Sequence, residues 1–107
     1  MKPLAEILYR IDLANERYSV CKLGDTHTQS EILRDLSTAL YDLTPHRVQA
    51  NENWMSFYFN SKGKSNAEKE READNRVPEL YKIRHFVTSA TKVLDSLRTS
   101  ISANKNG

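Results

Sequence analysis

The chain has 107 residues, with 16 Lys plus Arg against 14 Asp plus Glu, one Cys, three Gly and three Pro, a size that fits one small domain and excludes two. At 38% hydrophobic and 28% charged it falls below the roughly 45–50% apolar share of an average globular chain. A monomer then has a thin core, and part of its apolar surface is expected to be buried against a second copy or another protein. Cys21 stands alone, which excludes an internal disulfide and fits a reducing compartment. No apolar h-region opens the sequence and no stretch approaches the roughly 18 apolar residues of a bilayer span, so the expectation is a cytoplasmic protein with no membrane contact. The formal charge of +2 is unevenly spread. Residues 25–61 set Arg34 and Arg47 against Asp25, Glu31, Asp35, Asp42 and Glu52, a net of −3, while residues 77–107 set Lys82, Arg84, Lys92, Arg98 and Lys105 against Glu79 and Asp95, a net of +3.

In chain order, Leu4, Ile7, Leu8, Ile11, Ala14, Tyr18 and Cys21 recur three or four residues apart and predict an amphipathic helix over 3–22. Pro3 fits its first turn and Gly24 a stop, and the β-permissive stretch 18–23 allows an earlier end. Thr28 and Glu31 have capping-box spacing, and Leu33, Leu36, Ala39, Leu40 and Leu43 continue a second helical stripe. Thr44 before Pro45 reads either as the end of that helix or as the cap of a third, short one. The run Trp54-Met55-Ser56-Phe57-Tyr58-Phe59 fits strand alternation as well as a two-faced helix; the helical surroundings favour helix.

Residues 60–64 form a loop, and Ser65 with Glu68 gives a second capping-box pattern that starts a long helix. Its first part, 67–76, is nearly all charged, the pattern of a solvated face, and Pro78 predicts a kink or interruption. Beyond it, Leu80, Ile83, Val87, Ala90, Leu94, Leu97 and Ile101 follow a 3,4 alternation, a heptad seam that can pack on this chain's own helices or on another copy. Residues 103–107 are expected to fray into a disordered tail, leaving 1–102 as one helical domain. The fold class expected is all-α, a helical hairpin or small bundle with a long C-terminal helix; the alternative is α+β with 54–59 as a strand.

The chemistry of catalysis is missing. His27, His46, His85 and Cys21 are scattered singly, with no metal-ligand spacing, no nucleophile elbow accompanies any serine, and Gly24, Gly63 and Gly107 are too far apart for a phosphate-cradling loop. No catalytic residue, metal or cofactor is expected. Two features point to binding. Lys82, Arg84, His85, Lys92 and Arg98 lie off the C-terminal seam, and Lys62 and Lys64 precede it. Such cations can neutralise phosphates while a ring such as Tyr81 stacks on a single-stranded base. The bland reading of the same residues is an ordinary solubilising surface. The second feature is the aromatic run. Trp54, Phe57 and Tyr58, with the seam residues Leu80, Ile83, Val87, Leu94 and Leu97, are the candidate protein interface, with a core cluster as the competing reading.

The segments Phe57-Tyr58-Phe59-Asn60-Ser61-Lys62-Gly63-Lys64 and Ala90-Thr91-Lys92-Val93-Leu94-Asp95-Ser96-Leu97-Arg98, an aromatic patch with a short Lys/Ser/Gly loop and part of a long C-terminal helix, resemble the T4-type recombination mediator family of phages. They cover less than a quarter of the chain. The resemblance implies an all-helical, ring-forming protein that binds single-stranded DNA and helps load a recombinase, with loop and helix cations on the phosphates, acting in the host cytoplasm. The functional expectation is a non-enzymatic homo-oligomer assisting DNA metabolism by binding single-stranded nucleic acid. Its alternative is a phage-type inhibitor or adaptor that docks the acidic helix 29–43 or the aromatic run onto a host or phage protein.

Overall fold

The computed structural model describes the backbone of residues 1–106 and the side chains of residues 1–103. It is all-α, with four helices and no strand among the described residues: α1 (Leu4–Ser19), α2 (Thr26–Asn60), α3 (Asn66–Arg76) and α4 (Pro78–Asn106). The expected tail divides: α4 continues to Asn106, and Gly107 lies outside the described residues.

α2 is a 35-residue spine in an elongated body measuring 61 × 26 × 19 Å. The other helices return along it. The ion pair Arg17–Glu31 and the bond between Lys2 and Asp42 set α1 antiparallel to its first half. Contacts of Tyr58 with Asn66, of Trp54 with Asp74 and of Ser100 with Gln29 set α3 and α4 antiparallel to it from end to end. α1, α4 and the N-terminal two thirds of α2 thus make a three-helix bundle, whereas the last turns of α2 pair with α3 in a two-helix hairpin.

The bundle core is the apolar pattern read from the sequence. Ile7, Leu8, Ile11 and Ala14 of α1 meet Ile32, Leu36, Ala39, Leu43 and Ala50 of α2, and Leu80, Ile83, Ala90, Leu94 and Leu97 of α4 close it. Val87 is half-buried at its edge. The heptad seam therefore packs inside this chain, and four of the residues expected at a protein interface, Leu80, Ile83, Leu94 and Leu97, are 0–5% exposed.

Local details depart from the sequence reading at three places. α1 stops at Ser19, where Val20 leaves helical geometry and the Cys21 N–H turns to the Tyr18 carbonyl at 3.1 Å. The cap of α2 is Asp25 rather than Thr28: its carboxylate accepts from the Thr28 N–H at 3.1 Å and from the Thr28 hydroxyl at 2.6 Å, so the helix begins two residues before Thr28. Finally, α2 runs unbroken through Pro45. Proline removes one N–H and leaves the Tyr41 carbonyl without its helical donor. Both residues face solvent, and the core residues Leu43 and Ala50 on either side hold the two halves in one line. The second capping box formed as read, with Ser65 accepting from the Glu68 N–H at 3.3 Å, and Val77 interrupts the helix before Pro78.

Candidate nucleic-acid interface

The carboxylates in the acidic half of α2 are paired. Asp42 receives Arg10 at 2.8 Å and Lys2 at 3.2 Å, while Arg17 bridges Glu31 and Asp35 at 3.1 and 3.3 Å. Hydrogen bonds from Arg10 and Lys2 hold the Asp42 carboxyl below the usual carboxylate range. Glu31, Asp35 and Asp42 therefore each pair with an arginine of α1, and the second oxygen of Glu31 meets His27 of α2 itself at 2.7 Å. Gln29, a residue with no signal in the sequence, is 3% exposed and joins three elements. Its Nε2 donates to the Leu23 and Lys22 carbonyls at 2.9 and 3.3 Å, and its Oε1 accepts from the Ser100 hydroxyl at 3.2 Å.

On the flank of α2 away from α1, an open groove runs between α2 and α4, lined by Leu40, Tyr41, Leu43, Thr44, Arg47, Val87 and Thr91. Arg84 and Arg98 stand seven residues to either side of Thr91 and so share its side of α4 to within roughly 20°. Arg47 and Arg84 are exposed and form no ion pair with any described residue; Arg98 has only a 3.8 Å contact to the exposed Asp95. Tyr81, 80% exposed, lies on the outer edge of the same side, roughly 60° from Arg84.

The seven residues expected to hold nucleic acid do not form one surface. Lys82 points roughly 160° from Arg84 around α4, toward the α1 side, and Lys92 projects outward between them. Lying off the seam leaves most of a helix circumference available, so it does not place two residues together. Lys62 and Lys64 sit at the hairpin tip, the length of α3 away. Lys64 is already paired with Glu72, which also accepts from the Ser61 hydroxyl at 3.2 Å and is held below the usual carboxylate range by these two partners. Of these seven, Arg84 and Arg98 share one side of α4, about 21 Å apart along the helix and beyond either end of the groove, and Arg47, which lines the groove itself, is added to them. The sequence offered no signal for Arg47, because it lies in the segment of net negative charge.

The aromatic run also divides. Trp54 stacks on Tyr58 with ring centroids 5.2 Å apart, and its Nε1–H donates to Asp74 at 2.8 Å. Lys69 lies 5.8 Å from the Tyr58 ring centre, and Arg76 lies 5.9 Å from that of Phe57. Trp54 and Tyr58, expected at an interface with another protein, are thus half-buried beneath this chain's own α3. The charged stretch 68–76 supplies that cover in place of a purely solvated face. Phe57 stays 40% exposed beside Arg76.

Among the described residues no group of three His, Cys, Asp or Glu is placed to hold a metal ion, and no helix is long and apolar enough to cross a membrane. Compared with protein-family models, curated proteins and solved structures, the chain shows no match.

Proposed function

We propose that the chain is a small non-enzymatic binding protein that assists DNA metabolism by holding single-stranded nucleic acid, and that it acts as an oligomer. The observation that carries this reading is the sorting of its cations. Those of α1 are spent on Asp42, Glu31 and Asp35, while Arg47 lines an open groove between α2 and α4 and the exposed Arg84 and Arg98 lie on the same side of α4 beyond its two ends. A single strand asks of a protein only cations along its backbone and ring faces for its bases. In this arrangement the guanidinium groups take phosphates along the groove, and Tyr81 offers its ring to a base at the edge. The sequence carries no recognisable helix-turn-helix and no short basic insertion arm for reading base edges in a duplex groove, so single strands are the preferred ligand.

Fluorescence anisotropy of a labelled oligo-dT strand across a salt series tests this reading. Binding weakens steeply with salt, and the slope changes by about 0.7 for each single-strand phosphate that is no longer neutralised. Arg47→Ala with Arg84→Ala should therefore flatten it by about 1.4, while Lys62→Ala with Lys64→Ala leaves it nearly unchanged. No binding at low salt refutes the proposal. The adaptor reading through the acidic helix is the weaker one, because its carboxylates are engaged by α1.

A further inference from the structure

The back of α2 carries a strip with no cover. Tyr41, Pro45, Val48, Glu52, Met55 and Phe59 follow one another at spacings of 4, 3, 4, 3 and 4. At 100° per residue they fall within a band about 80° wide, opposite the core residues Leu36, Leu43 and Ala50. Tyr41 is 80% exposed, Phe59 65%, Val48 51% and Met55 50%, and Glu52 is the only charge among the six. This alternation is that of a helix that pairs with another helix. The inward face of α2 already has its partners, so the strip is a second seam on the same spine.

We infer that a second copy of this chain covers this strip, with the two α2 helices antiparallel about a twofold axis at the level of Ala50. The inference deepens the oligomeric part of the proposed function and does not depend on nucleic-acid binding. Three arguments select the occupant and its direction. The first is the register. In the antiparallel pair Tyr41 meets the partner's Phe59, Pro45 meets the partner's Met55, and Val48 meets the partner's Glu52. The outer layers then set apolar residues against each other, with aromatic pairs closing both ends of the seam, and only the central layers set Val48 against a charged residue, Glu52. The second is charge. In a parallel, in-register pair Glu52 would face Glu52 in the middle of the seam, whereas the antiparallel pair separates the two carboxylates to either side of the axis. The third is area. At about 150–250 Å² per aromatic side chain, Tyr41 and Phe59 alone leave roughly 300 Å² open on each copy. With Val48 and Met55 added, two strips reach about the 1,000 Å² that a specific interface requires.

Sedimentation equilibrium over a dilution series from high micromolar protein is the test, with circular dichroism confirming that each variant keeps its helices. The expected results are a dimer for the parent chain, a monomer for Met55→Asp with Phe59→Asp, and a several-fold tighter dimer for Glu52→Gln. For the register, Tyr41→Cys and Phe59→Cys are made separately in a Cys21→Ser background. Each alone should not cross-link to its own kind, and a mixture of the two should. A parent chain that stays monomeric, a dimer that survives the double Asp substitution, or Tyr41→Cys chains that link to one another would each overturn the inference. Oligo-dT anisotropy on the Met55→Asp, Phe59→Asp variant separates this failure from the other. A monomeric parent that still binds the strand sinks only the dimer, and a dimeric parent that binds none sinks only the nucleic-acid reading.

Discussion

Where α2 runs beside α1 and α4, its inward residues Ile32, Leu36, Ala39 and Leu43 are at most 1% exposed in a mainly aliphatic core; where it runs beside α3, the contacts across the pair are hydrogen bonds from Trp54 to Asp74 and from Tyr58 to Asn66 and two cations over rings. α3 itself buries only Ala73 fully. One continuous helix is therefore held mainly by hydrophobic burial at one end, with ion pairs at its rim, and by polar and cation–π contacts at the other. Burial of a large aliphatic side chain is worth about 1.5–3 kcal/mol, whereas an exposed ion pair contributes about 0–1 kcal/mol and weakens with salt. The hairpin should open locally well before the bundle unfolds.

The largest expected effect lies in the bundle. Leu97→Asp puts a charge at a position with no exposure and should cost on the order of 4 kcal/mol or unfold the chain, while Lys92→Asp, on the outer face of the same helix, should barely move the melting temperature read by circular dichroism. Equal melting temperatures for the two would erase the distinction between seam and surface. Next, Trp54→Ala should cost about 1–2 kcal/mol, since the indole is only partly covered. Its signature should be faster hydrogen exchange throughout α3 with bundle amides little changed; a uniform change would mean that the two ends do not open separately.

A smaller effect tests the one buried side-chain atom left unpaired among the described residues. Asn15 donates to the Ser89 hydroxyl at 2.9 Å, but its buried Oδ1 has no partner among the described residues. Replacing both, Asn15→Leu with Ser89→Ala, removes the unsatisfied oxygen and should be neutral or stabilising by up to about 1 kcal/mol. A clear loss of stability would show that the pair orders α1 against α4. The smallest effect is with acid. Asp42 and Glu72, one at each end, both have folded-state pKa values below their unfolded ones. Their stabilisation is thus present above the unfolded value, about 4, and is lost as pH falls through the folded value. Arg10→Met should shrink the acid loss measured in the bundle, and Lys64→Met the acid loss measured by exchange in α3; identical acid limbs before and after would remove these pairs from the account.

Much of the bundle was legible in the sequence because apolar residues at helical spacing leave little choice of face, as Leu80 to Leu97 demonstrate. The Ser65 cap and the break at Pro78 were legible because local backbone chemistry fixes them. Pro45 misled, since a proline on the solvent side of a well-anchored helix costs a hydrogen bond without ending the helix. The groove was mostly illegible. Whether Arg84 and Lys82 share a surface depends on where α1 and α2 sit around α4, and Arg47 joins Arg84 only through the antiparallel return of the chain. The fate of Glu31, Asp35 and Asp42 was hidden for the same reason, as their partners other than His27 beside Glu31 lie 14 to 40 residues away.

The position of Trp54 has a practical consequence. It is the only tryptophan in the chain, and it sits where α3 leans on α2, hydrogen-bonded to Asp74 and stacked on Tyr58. The indole packs at the hairpin edge of the core, so its emission reports first on this docking event and only then on the bundle's melting. A fluorescence-detected denaturation curve should have its midpoint at lower urea than the helical signal at 222 nm, and treating it as the stability of the whole protein would understate the strength of the spine.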